Sequence, residues 1–170
     1  MNKQLILNDF EKTFSSLEDS IALYEAKSFN QIPFEGSWTP GQVVQHIILA
    51  SSNFPHILAG EIKETDRPID QLVATLKSIF LNYQTKMKSP DFILPELKDY
   101  DREAFLTKVQ QIKQDISQTI ASLPLDKTCL GFQFPTLGHL TRLEAVYFVI
   151  YHTQRHVHQL QEIHRFLKLA

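Results

Sequence analysis

Apolar residues recur along this chain at intervals of three and four, the spacing that gathers side chains on one face of an α-helix. Leu7, Phe10, Phe14, Leu17, Ile21 and Tyr24 keep that rhythm unbroken and predict a helix over 2–27. Asn8 with Glu11 imitates a capping box, but apolar residues before it extend the pattern upstream. Residues 28–38, with Pro33 and Gly36, read as a connecting loop. Thr39-Pro40-Gly41-Gln42 then offers a capping threonine, a first-turn proline and a glutamine that closes the box. The helix it opens is predicted to reach Leu58, kinked or interrupted at Pro55. Its inward stripe reads Val43, His46, Ala50, Asn53 and Ile57.

The polar stretch 61–68 reads as a surface loop. Ile69, Leu72, Val73, Leu76, Ile79, Phe80 and Tyr83 predict a third helix over 69–86. Residues 86–100 hold two prolines and no sustained period, as expected of a long crossover. Asp101 caps a helix running to Leu123, with Phe105, Val109, Ile112, Ile116 and Ile120 on its face. Residues 125–140 read as a loop packed over one bundle end. A capping box, Thr141 to Glu144, opens a last helix that reaches Leu167. No stretch alternates with period two for long enough to predict a strand. The expected fold is all-α: a four-helix bundle with an additional helical segment in a connection, one domain over 1–170.

Two histidines sit where apolar residues belong. The stripe of the last helix runs Ala145, Phe148, Val149, His152, His156, Leu160, Ile163, Leu167. His152 and His156, just over one turn apart, face the core together, and His46 does the same on the second helix. Buried imidazoles need polar partners or a metal. A pair at i, i+4 plus one histidine from a facing helix suits Zn, Ni, Cu or Fe and leaves a coordination position open. Such an ion lowers the pKa of a coordinated water or thiol and makes a nucleophile near neutral pH. Three hydrogen-bonded core histidines are the plainer alternative. His158 and His164 fall off the stripe and are expected to face solvent, His56 has no partner spacing, and His139, ahead of the last helix's cap, is expected to close a loop.

Composition narrows the field. A chain with 43% hydrophobic and 21% charged residues is of ordinary globular type. No run of 18 apolar residues predicts a membrane span, and the N-terminus lacks a signal peptide's apolar region. With Cys129 the lone cysteine, a reducing, cytoplasmic setting is expected. A net charge of −2 with scattered Lys and Arg gives no nucleic-acid surface.

SWTPGQVVQH (Ser37 to His46) resembles the W-[ST]-x₆-H opening of the second helix in the DinB/YfiT-like family. LGHLTRLEAVYFVIYHTQRHVHQL (Leu137 to Leu160) resembles that family's C-terminal signature, H-x₃-H followed by Q-L. The resemblance covers essentially the whole chain. It implies an up-down-down-up four-helix bundle, often a homodimer, with zinc or nickel held by His46, His152 and His156. Some members resemble bacillithiol or mycothiol S-transferases and others maleylpyruvate isomerases. The expected activity is therefore attack of a thiol cofactor or water on a small electrophilic substrate. Thiol S-transfer comes first and metal-dependent hydrolysis second, with a non-catalytic metal- or small-molecule-binding bundle as the alternative class.

Gln42, Asn53 and Gln159 are candidates to orient a ligand or a bound water. Arg155 is placed to meet an anionic substrate or, more plainly, to form a surface salt bridge. Trp38 is expected to anchor its loop, and Tyr147 and Tyr151 to pack. Cys129 reads as inert packing.

Overall fold

The computed structural model describes residues 2–169. Helix α1 spans Lys3–Ala22, opened by Asn2, whose side chain accepts from the Gln4 N–H. The upstream start therefore prevails over Asn8. Phe10, Phe14, Leu17 and Ile21 are fully buried along the predicted seam. The helix stops earlier than expected, and a separate turn, α2 (Ala26–Phe29), follows it.

Helix α3 (Pro40–Ser51) opens on the predicted capping box: Thr39 and Gln42 exchange side-chain bonds with each other's backbone. It ends at Ser51, ahead of Pro55, which has no N–H to bond the Ser51 carbonyl and carry the helix on. A new helix, α4 (Phe54–Ala59), starts with Pro55 in its first turn, where the missing N–H costs nothing. The 3.6-residue stripe cannot be carried across this break. The buried face of α3 is Val43, Val44, Ile47, Ile48 and Ser51, with His46 beside it, and Asn53 is exposed.

Helix α5 is shorter than its apolar pattern, Val73–Phe80 rather than 69–86. Helices α6 (Arg102–Ser122, capped by Asp101) and α7 (Arg142–Leu169) match the pattern closely. The bundle consists of α1, α3, α6 and α7. α1 packs on α6 and α7, and α3 packs on the same two, so α1 and α3 take opposite corners. α5 lies outside, against α7. Among the described residues no helix is long and apolar enough to cross a membrane.

The all-α expectation needs correcting. A three-stranded antiparallel sheet, ordered β1-β2-β3, covers one end of the bundle: β1 Ile62–Lys63, β2 Thr128–Phe134 and β3 Gly138–Thr141. β2 and β3 form a hairpin whose register slips between Thr128 and Gln133, and the turn holds Thr136 and Gly138 at positive φ. Phe134 packs on Phe148 and Phe80, with ring centroids 5.1 and 6.3 Å away. The predicted 125–140 loop does cover a bundle end, but it does so as paired strands.

The start of α7 is locked by four hydrogen bonds to Glu144. Both Glu144 oxygens accept from Arg67, each at 2.6 Å. One also accepts from the Leu72 N–H at 2.8 Å, and the other closes the Thr141 capping box at 2.9 Å. Burial alone would push this fully buried carboxyl up. The Arg67 guanidinium and the Thr141 and Leu72 N–H groups outweigh burial and hold it below the usual value. A carboxyl with a depressed folded pKa stabilises above its unfolded pKa, near 4.3, and loses that contribution as pH falls through the folded value. Glu144→Gln is expected to cost about 3 kcal/mol at neutral pH by leaving Arg67 without its counter-charge. Denaturant melts across the acid range should show that deficit shrinking below about pH 4; parallel wild-type and variant curves would contradict it.

Candidate metal centre

Helix α7 runs past α3, and three imidazoles meet where they face one another. The ligand-capable atoms of His46, His152 and His156 all lie within 4.8 Å of one another, and all three residues are buried. The Nε2 atoms of His46 and His152 are 3.0 Å apart, and those of His152 and His156 are 3.2 Å apart.

The outer ring nitrogens explain why Nε2 is the atom turned inward. His46 Nδ1 donates to the Ile93 carbonyl at 2.9 Å, with Ser89 Oγ 3.3 Å away. A carbonyl only accepts, so the His46 proton sits on Nδ1 and its Nε2 keeps a lone pair. His156 Nδ1 donates to Gln159 Oε1 at 2.8 Å, with the same result. Burial lowers all three imidazole pKa values. His156 falls to about 3, with His46 and Arg155 lowering it further and Gln159 opposing. His152 falls well below its ordinary value, through burial first and then His156, His46 and Arg155. For His46, burial outweighs the bond to Ile93. The three rings are neutral at physiological pH, as metal ligation requires.

The residues fit a divalent ion. Zinc–imidazole bonds of about 2.0–2.1 Å in a tetrahedron separate the nitrogens by about 3.3 Å, close to the two spacings seen here. The Nε2 lone pairs of His46 and His156 both face His152 Nε2, 3.0 and 3.2 Å away, so a cation seated among the three nitrogens would satisfy them together. Aromatic rings enclose the cluster. Trp38 lies 5.3 Å from the His46 ring, while Phe148 and Phe80 lie 5.4 and 5.6 Å from His152.

Of the candidate supporting residues, Gln159 reaches the cluster. Gln42 is committed to the α3 cap, and its side-chain oxygen bonds the Thr39 N–H. Asn53 is exposed in the break between α3 and α4; its projected position assumed a continuous helix. Arg155 makes no salt bridge among the described residues. It donates to the carbonyls of Phe80, Asn82 and Thr85 at the end of α5. His158 and His164 are half-buried rather than solvent-facing. His158 stacks on Tyr83 at 4.0 Å, and His164 meets the Tyr24 ring edge-on at 5.3 Å. Cys129 is buried, and burial raises its thiol pKa, as inert packing would have it. The role of Ile93 has no side-chain signature, because its backbone carbonyl does the work. Trp38 sits beside His46 as well as closing its loop.

A mixed helical bundle carrying a buried three-histidine cluster is the class that fold and site define. The sequence profile of the DinB superfamily matches residues 9–160, and the chain belongs to that family. It is similar to the uncharacterised protein YuaE of Bacillus subtilis strain 168, at 21% identity over 137 residues, 81% of this chain and 83% of YuaE. Its fold is similar to that of YfiT from Bacillus subtilis, described as "a probable metal-dependent hydrolase with an unusual four-helix bundle topology". That match has a TM-score of 0.62 at 17% identity and covers 98% of this chain and 87% of YfiT.

Trp38 is the only tryptophan, so it reports on the cluster directly. Titrating nickel, an open-shell quencher, into metal-free protein should quench its emission saturably, and His152→Ala should abolish the effect. Gln159→Leu should weaken zinc binding about 10–100-fold in a chelator competition by freeing the His156 ring. An unchanged affinity would show that Gln159 does not orient that ligand.

Proposed function

We propose that this chain is a metal-dependent enzyme in which His46, His152 and His156 hold a divalent ion, zinc or nickel. The convergence of their three Nε2 atoms, two with the opposite nitrogen pinned by an acceptor, carries this reading. YfiT, the structural relative described as a metal-dependent hydrolase, supports the same class. A divalent ion held by three neutral ligands supplies Lewis acidity at an open position and makes a thiol or a water nucleophilic near neutral pH.

The chain's own residues do the rest. Ile93 and Gln159 keep the ring protons outward, so two imidazoles are ready to ligate. Phe80, Phe148 and Trp38 line the cluster with apolar surface, which strengthens electrostatic interactions there by limiting water. The substrate is a small electrophile. A low-molecular-weight thiol such as bacillithiol is the first co-substrate, giving a thiol S-transferase; water in its place gives a hydrolase. A cytoplasmic homodimer is part of this reading.

The test is a screen of zinc- and nickel-loaded protein with thiol–electrophile pairs, beside ester, amide and lactone substrates without thiol. Turnover that needs both metal and thiol establishes transfer, and turnover with metal and water alone establishes hydrolysis. Fully loaded protein inert toward every pair and substrate would leave a non-catalytic binding bundle as the better description.

A further inference from the structure

Residues 81–99 form a strap that leaves α5, passes His46 and leads into α6. Each of them is exposed or half-buried, and apolar anchorage is confined to the start, where Leu81 packs on the core and Tyr83 stacks on His158. Polar bonds hold it at three places. At its start, the Arg155 guanidinium gathers the carbonyls of Phe80 at 3.2 Å, Asn82 at 2.9 Å and Thr85. In its middle, the Ile93 carbonyl accepts from His46 Nδ1 at 2.9 Å, beside Ser89. At its far end, Asn30 exchanges two bonds with the Tyr100 backbone, at 2.8 and 3.0 Å. Ser89 is four steps along the chain from Thr85, a reach of at most about 14 Å. Where Arg155 fixes Thr85 therefore limits where Ser89, beside His46 Nδ1, can lie, and Ile93 follows four residues on.

We propose that Arg155 is a positioning residue of the histidine centre. It holds the strap so that the Ile93 carbonyl stays on His46 Nδ1 and the His46 Nε2 lone pair stays aimed at the ion. This inference rests on the reading of the three histidines as a metal site. Arg155 follows from its place on α7, one residue before His156: the helix that carries two ligands also secures the loop that orients the third. Charge and position make opposite predictions. Arg155 is cationic, so removing it relieves repulsion and tightens cation binding if charge is its whole effect. Loss of a positioning bond weakens binding instead.

The experiment compares full-length wild type, Arg155→Ala and Arg155→Lys by two readouts. Chelator competition gives zinc affinity. Imidazole ¹H–¹⁵N spectra of the metal-free protein, assigned against His46→Ala, give the His46 tautomer. Arg155→Ala is expected to bind zinc about tenfold more weakly and to lose the slowly exchanging His46 Nδ1 proton. Arg155→Lys, a point donor in place of a fork, should fall between and keeps the test alive if the alanine variant folds poorly. Folded variants with equal or tighter zinc affinity and an unchanged His46 tautomer would overturn the proposal. A wild type that takes no zinc would sink the metal reading alone; the tautomer would then still decide the role of Arg155.

Discussion

Three imidazoles share the interior of this bundle, and their desolvation is the constraint that the surrounding structure answers. A neutral histidine out of water must place one N–H and one lone pair. Here a backbone carbonyl and a glutamine oxygen take the N–H groups of His46 and His156, whose Nε2 lone pairs are left facing His152 Nε2. Packing of α7 against α3 brings them together, so the cost of the cluster is carried by the same apolar contacts that build the bundle.

Helix α7 is where these demands join. Glu144 at its start ties down Arg67 and Leu72 from the connection between α4 and α5. Arg155, farther along, secures the strap that follows α5. His152 and His156 lie between and beside these two fastenings. One helix thus organises both long loops, and the strap supplies what helix faces do not, a carbonyl for His46, while Phe134 of the β2–β3 hairpin backs Phe148. The scaffold is stiff where apolar seams are long, in α1, α6 and α7. It depends on polar bonds where the chain runs over the surface.

Much of this was legible in the amino-acid order because the bundle relies on period. Phe10 to Ile21, Val109 to Ile120 and Ala145 to Ile163 are buried at the positions their spacing selects. His152 and His156 were legible for the same reason, since they interrupt the α7 stripe in register. What escaped has physical causes. β1 is two residues long, and in β2 the alternation covers five residues, Leu130 to Phe134, with glycine at one of its polar positions, so neither makes a long period-two pattern. Asn53 was misplaced by carrying helical geometry across a break that begins before Pro55. Arg155 and Ile93 act through main-chain carbonyls, whose destinations depend on tertiary packing.

The central claim is that the three nitrogens together bind one divalent ion. Metal content of untagged protein, measured by mass spectrometry beside His46→Ala and His152→Ala, tests it most directly. One zinc or nickel per chain, lost in both variants while their helical content persists, is the predicted result. Wild-type protein that stays empty after dialysis against both metals, or variants that keep the full complement, would contradict the account and leave the histidines as hydrogen-bonded residues of the core.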